Sequence, residues 1–264
     1  MALEGKHSEQ PATAAETVAD SLAATILGEM TPGTSLPSEA DIAIRFSVSR
    51  LTVREAVKML AGRGLIDVSR GRRAVVREPT GTFFADYLST VMQSDPKGLF
   101  DLIELRMSIE IQSATLAARR ANRAALVALD SALQGMRDSA AAGQSGDDHD
   151  DSERRFHAHD VAFHEAVALA SGNRLISYLF EAMAGPLQRS FTLSRRGHDL
   201  RGGSVEDTIE AHRLIFEAIR AGNSKAAGAA MRAHLSDTER DIRRALNARP
   251  LQPIAWGPPL PSAT

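Results

Sequence analysis

Between Glu16 and Met30, the apolar residues Val18, Leu22 and Ile26 recur every four positions, the spacing of one helix face. The stretch TPGTSLPSEAD then breaks the pattern with two prolines and a glycine. Ser38, followed three residues later by Asp41, forms a capping-box start for a second, short helix running through Phe46. The turn SVSR leads to Ser49, the predicted N-cap of a third helix, with Val48 and Val53 set to close a hydrophobic staple across the cap. In that third helix Val53, Ala56, Val57 and Leu60 share one face, while Arg50, Arg54 and Lys58 share another at a spacing of four. LIDVS and AVVRE then read as two short strands around the basic turn RGRR. Three helices and a basic hairpin predict a winged helix-turn-helix.

After Pro79 the texture becomes helical throughout. Seven helical runs are expected, at about residues 82–93, 99–120, 123–141, 151–170, 174–195, 205–221 and 224–248. Turn-forming stretches separate them: SDPKG, GQSGDD, SGN, GHDLRGGS and AGN. Pro186 lies inside a helical pattern and is expected to kink or split its helix. The predicted fold is mainly α, a winged helix-turn-helix followed by an all-α bundle. The expected divisions are 14–78 for the first domain, 79–98 for a linker and first bundle helix, 99–248 for the bundle, and 249–264 for a Pro-rich tail.

Charge gives the first module a partner. The whole chain of 264 residues has a net charge of −2, but from Ile42 to Arg77 nine Lys/Arg face two acids. A basic block in a near-neutral chain suits a polyanion. The third helix packs its Val/Leu face inward and presents Arg50, Thr52 and Arg54 outward, so its N-terminal end can enter a major groove. Arginine binds guanine O6 and N7 through two parallel hydrogen bonds. Arg70, Arg72 and Arg73 in the turn reach phosphates or a minor groove, and Ser38 donates to a phosphate at the second helix start.

The stretch PGTSLPSEADIAIRFSVSRLTVREAVKMLAGRGLIDVSRGRRAVV resembles the DNA-binding domain of the GntR family of bacterial transcription regulators. The family pattern runs roughly L-P-S-E, L-A, V-S-R, V-R-E-A, L, G-L-I, G, V. The resemblance covers residues 16 to 78 and implies contacts to double-stranded operator DNA from Ser38, Ser49, Arg50, Thr52, Arg54, Arg70, Gly71 and Arg72. Two positions depart from the pattern: Ala40 stands where an arginine often follows the S-E pair, and the wing tip reads Gly71-Arg72-Arg73 rather than G-x-G.

The second module carries the remaining chemistry. With no cysteine in the chain, disulfides and thiolate metal sites are excluded, so a tight metal site has to come from His, Asp and Glu. Asp160 and His164, four apart, project from one helix face. His212 shares a face with Ile209, Phe216 and Ile219, and His234 lies beside Ala230, Met231 and Leu235. Taken singly, each histidine reads more often as a hydrogen-bonded core residue than as a ligand. One carboxylate with three imidazoles suits a borderline divalent metal, zinc first, then Ni, Mn, Co or Fe. Spacing alone leaves that choice open.

The segments HDVAFHEAVALASGNRLI and EAHRLIFEAIRAGNSKAAGAAMRAHL resemble the FCD ligand-binding domain of FadR-type GntR regulators. The hallmarks are D-x-x-x-H, then G-N, then E-H-x-x-I, then H-L; here one extra residue separates Glu210 from His212. The resemblance implies metal ligation by Asp160, His164, His212 and His234. LIELRMSIE also resembles the first bundle helices, which implies that Arg106 clamps a small carboxylate effector. Asn173 is expected either to hydrogen-bond that effector or to cap the next helix. His157 shares the Asp160 face and reads as a supporting or surface group. His159 is expected to be solvated, and His149 and His198 to lie in polar loops.

These readings predict a homodimeric, metabolite-controlled regulator of transcription, in the main a repressor. A regulator whose metal is structural, or is itself the sensed signal, is the alternative. An enzyme is not expected: HEAVA has Ala168 where the second histidine of H-E-x-x-H belongs, and a hydrolase has no use for Arg50 and Arg54. No stretch approaches the ~18 apolar residues of a membrane span, and the N-terminus lacks a signal-peptide core. A cytoplasmic protein without membrane contact is expected.

Overall fold

The structure, a computed structural model, describes residues 11–78, 80–81, 84–85, 88–90, 97–145 and 149–248. The chain divides at residues 83/84 into two compact units. The expected run at 82–93, most of the linker and the Pro-rich tail lie mainly outside the described residues.

In the first unit, α1 spans Ala14–Glu29 and is closed at its start by a capping box between Thr13 and Glu16. α2 spans Glu39–Phe46, and Ser38 and Asp41 cap each other there as the spacing predicts. Ser47 ends α2 in the left-handed region at φ 56°, which turns the chain sharply enough for α3, Arg50–Gly62, to begin two residues after Val48. Val18, Leu22 and Ile26 of α1 meet Ile42 of α2 and Val53, Ala56, Val57 and Leu60 of α3, all buried. Each Val, Leu or Ile among them contributes roughly 1.5–3 kcal/mol on burial, so this small core fixes how α3 is presented. Two strands complete the unit. β1 (Ile66–Asp67) pairs antiparallel with β2 (Val75–Val76), Ile66 opposite Val76. They are shorter than LIDVS and AVVRE suggest: only Ile66 and Val76 are fully buried there, while Val68 is 55% exposed.

The second unit is all α. Its described helices are α4 (Gly98–Arg120), α5 (Arg123–Gln144), α6 (His149–Ala170), α7 (Arg174–Leu200), α8 (Val205–Arg220) and α9 (Ser224–Asn247). α5 packs on α6, and α9 packs on α4, α7 and α8. Ala114 and Ala117 of α4, Leu129 and Leu133 of α5, Phe163 and Val167 of α6, Ile215 and Ile219 of α8 and Met231 and Leu235 of α9 build the main core. Among the described residues no helix is long and apolar enough to cross a membrane.

Three expectations change here. α7 runs unsplit through Pro186. A proline there removes one backbone donor, and Phe180, Met183, Leu187 and Phe191, before and after it on the same helix, are all buried in one cluster. α7 also continues past Arg195 to Leu200, so His198 belongs to a helix and not to a polar loop. His149 likewise opens α6 instead of lying in a loop.

Candidate DNA-binding face and metal centre

In the first unit the capping chemistry that starts α3 also exposes its first turn. Ser49 Oγ accepts from the Thr52 amide at 3.1 Å and lies 2.8 Å from Thr52 Oγ1. Arg50 and Arg54 are exposed, and Arg54 Nε donates to Glu39 Oε2 at 2.9 Å. That pair is more than one-third exposed on both sides, so it contributes little to stability, and it ties the guanidinium to the first residue of α2. Between the strands, Arg70, Gly71 and Arg72 are all exposed. Gly71 has φ 75° with open space around it, a conformation that suits glycine in a tight turn. Ser38 is committed to its cap, donating to Asp41 Oδ2 at 2.5 Å.

The second unit holds a buried polar centre, to which α4, α6, α8 and α9 each contribute. Asp160 and His164 come from α6, His212 from α8 and His234 from α9, all buried. One ring nitrogen from each of the three histidines lies within 4.8 Å of the others. His164 Nε2 is 3.3 Å from both His212 Nε2 and His234 Nε2, and Asp160 Oδ1 is 2.7 Å from His212 Nε2 and 3.6 Å from His164 Nε2.

The other nitrogens explain the orientation. His212 Nδ1 donates to the Thr208 carbonyl at 2.8 Å, and His164 Nδ1 lies 2.5 Å from Glu110 Oε2. Both Nδ1 atoms face acceptors away from the centre, so a ring that carries its single proton there turns its Nε2 lone pair towards the other rings. Lone pairs at 3.3 Å repel unless a proton or cation lies between them. This is also how proteins prepare imidazoles as metal ligands, by fixing the tautomer from behind. Burial, then His212, His164 and Arg106, hold His234 well below the usual histidine range, which keeps its ring neutral with a lone pair available. Burial pushes Asp160 up, yet His212 and His164 outweigh it, so its carboxyl ionises below the ordinary range. Three imidazoles and one carboxylate converging in this way form a donor set that suits a divalent cation such as zinc.

Glu110 is the residue that spacing does not single out. It is buried on α4 and touches two groups: Oε1 accepts from Arg106 Nε at 2.6 Å and Oε2 faces His164. Burial alone would raise its pKa, but Arg106 and His164 bring it down to about 2. The readable signal is a charged pair, Arg106 and Glu110, four apart on a face shared with Ile103, Ala114 and Ala117. Arg106 is fully buried, and its two terminal nitrogens have no hydrogen-bond partner. Its guanidinium lies 5.7 Å from the Phe191 ring centroid.

Phe191, Asp160 and His234 line a cavity of about 100 Å³ with His157, Arg195, His198 and Asp241. His157 stacks on Phe191 with ring centroids 5.9 Å apart, and is part of the wall. His198 Nδ1 lies 3.3 Å from Asp241 Oδ2; its stretch has the composition of a loop because three glycines surround it. His159 is half-buried and lies over Gly135, so it is not simply solvated. Asn173 Oδ1 accepts from the Leu175 amide at 3.1 Å as the α7 N-cap, and Asn173 does not appear among the described residues lining this cavity.

A basic winged helix-turn-helix, followed in the chain by an all-α unit with a buried polar centre, defines a DNA-binding transcriptional regulator. The chain belongs to the GntR family: residues 14–76 match the model of bacterial regulatory proteins of the gntR family, and residues 101–237 match the FCD domain. It is 32% identical to the HTH-type transcriptional regulator LutR of Bacillus subtilis over 80% of this chain and 93% of that one. It is 27% identical to the galactonate operon transcriptional repressor of Escherichia coli, covering 82% and 90%. Among solved structures it resembles a GntR protein of Streptococcus agalactiae, with a TM-score of 0.62, 28% identity and coverage of 86% and 99%.

Proposed function

We propose that the chain is a homodimeric repressor whose grip on operator DNA is controlled by a small carboxylate bound beside a divalent metal. In this reading residues 14–78 bind DNA, 79–98 connect, 99–248 bind the effector and pair the subunits, and 249–264 form a tail. Arg50, Thr52 and Arg54 read bases from the start of α3, Ser49 contacts the DNA beside them, Ser38 reaches a phosphate only if its hydroxyl leaves Asp41, and the wing at Arg70, Gly71 and Arg72 adds backbone or minor-groove contacts. Asp160, His164, His212 and His234 hold the metal, zinc first, and the metal supplies a Lewis-acidic anchor for a carboxylate. Arg106 provides the second anchor for that carboxylate; Asn173 serves as a further hydrogen-bond donor only if α7 frees its cap.

The observation that carries this reading is the pairing of two needs in one core. One ring nitrogen from each of three histidines converges on a common point beside the Asp160 carboxylate, and a buried guanidinium keeps two donors that no protein group accepts from. A carboxylate next to a metal satisfies both. The galactonate operon repressor is named for a sugar acid, which agrees with an acid as the signal. An effector that prefers one conformation shifts the DNA-binding equilibrium by its differential affinity. The test is a gel-shift titration of zinc-loaded protein on its own promoter DNA with sugar acids, hydroxy acids and dicarboxylates. At least one acid weakens the complex, and chelation abolishes that effect. If no acid alters DNA affinity with metal present, the reading fails; if an acid still stabilises chelated protein, the metal is not its anchor.

A further inference from the structure

In α3 the buried stripe of Val53, Ala56, Val57 and Leu60 fixes which positions face outward. At about 100° per residue, Leu51 lies about 160° round the axis from Val53, nearly opposite that stripe. It is 68% exposed. The other exposed side chains from Arg50 to Lys58 are all charged: Arg50, Arg54, Glu55 and Lys58. A single exposed leucine elsewhere on a surface needs no explanation; this one stands in the first turn of α3, among cations. Its polar neighbours are held by other groups. Arg54 Nε donates to Glu39, Lys58 Nζ donates to Glu55 Oε1 at 2.9 Å, and the Thr52 hydroxyl lies 2.8 Å from Ser49 Oγ. Leu51 is left as an apolar end in a basic field.

We infer that Leu51 is a specificity-determining residue that packs on the C5-methyl group of a thymine in the major groove. This rests on the reading above that the start of α3 enters that groove. Charge selects the occupant: Arg50 and Arg54 in α3 and Arg70 and Arg72 in the turn, all exposed, attract a polyanion and not an apolar protein surface. Along the base edges of a major groove, the thymine methyl is the apolar group on offer. A leucine neither donates nor accepts a hydrogen bond. It therefore leaves the amino groups of cytosine and adenine, and O6 of guanine, without a partner, and burying those groups against it costs the water they lose. The preference thus works in both directions, by attraction to the methyl and by rejection of polar edges. Arg50, one residue earlier, suits a guanine through two hydrogen bonds. Leu51 adds a different requirement, an A·T pair whose orientation puts the methyl under the helix.

The test begins with duplexes that the full chain recovers from a random pool. Each thymine of the recovered site is replaced in turn by deoxyuridine, which pairs in the same way and lacks only the methyl. Affinity is read by fluorescence anisotropy at one fixed salt concentration. At one or more thymines the wild-type chain binds the deoxyuridine duplex about fourfold more weakly per contact, the value of one buried methyl. Leu51→Ala binds the thymine duplex more weakly and no longer distinguishes it from the deoxyuridine duplex at that position. Leu51→Met, apolar and of similar size, keeps the distinction. Both substitutions replace an exposed side chain, so the fold is kept. If no thymine shows the effect in wild type, the inference is overturned, and so it is if Leu51→Ala shows the effect undiminished. Arg50→Ala separates this from the reading beneath it. If that variant weakens binding while no methyl matters, Leu51 alone is misassigned. If it binds the recovered duplex as tightly as wild type, or if the pool yields no common sequence, α3 does not read bases and both fail.

Discussion

Both carboxylate oxygens of Glu110 are engaged, one by Arg106 and one by His164, in a site that excludes water. Its pKa of about 2, against 4.5 for a free glutamate, makes a stability prediction with a definite sign. The folded state holds this proton more weakly than the unfolded chain, so the stabilisation is complete above pH 4.5 and fades as pH falls towards 2. Glu110→Gln leaves Arg106 a buried charge without its partner, which costs about 3–5 kcal/mol at neutral pH. Urea unfolding of metal-free protein across this range is expected to show wild type and variant converging as pH drops; a constant gap rules out an ionised Glu110. Zinc affinity of the variant falls about 10–100-fold, as when a residue supporting a ligand is removed. At this scale the sequence was only partly legible. Asp160 and His164 share a face by simple spacing, but His212 and His234 lie 48 and 70 residues beyond His164. No periodicity brings them together; the resemblance in motif does. Glu110 was not legible because an acid four residues from an arginine is usually a solvated helix pair.

Elements were more legible than residues, since their signals are local. Ser38 and Ser49 mark the starts of α2 and α3 by side-chain chemistry that operates wherever the helix is placed. The end of α7 was not legible in this way. GHDLRGGS has the composition of a turn, yet the helix continues to Leu200 because Gly197 lets α7 approach α9 closely. A Cβ at Gly197 would overlap the Asp241 carbonyl, and backbone cannot move aside as a side chain does. His198 and Arg201 then both reach Asp241 from the helix end and the residue beyond it. Gly197→Ala is therefore expected to destabilise the protein by about 3 kcal/mol, at or above the usual range for overpacking, although alanine is intrinsically the better helix former. Thermal unfolding reads this directly: a rise in melting temperature would mean that α7 and α9 do not touch there.

At the scale of the whole molecule the two units divide the chemistry between charge and burial. The first unit concentrates exposed arginines in a near-neutral chain; the second buries Arg106, Glu110, Asp160 and Asp241. Fold class was readable from this contrast together with the helical periodicities, because each unit buries an apolar stripe of its own. The division predicts separable defects. Arg50→Ala weakens operator binding by about 1–3 kcal/mol, as removal of a base-reading arginine does, and leaves zinc content unchanged. Arg70→Ala weakens all sequences alike and reduces the slope of log affinity against log salt by about 0.9 for each phosphate that the arginine neutralises. Fluorescence anisotropy at several salt concentrations distinguishes the two; equal slopes for Arg70→Ala and wild type remove the wing from the phosphate backbone.

The bridge from Arg106 through Glu110 to His164 also bears on how such a chain changes over generations. Altering any one of the three strands a buried charge or frees a ring to turn, and either change injures folding before it alters what is bound. A change at one of these three positions on two helices is thus expected to require a change at another. Mutation explores new specificity more freely in the cavity walls, at sites such as His157, than in the arrangement beneath them.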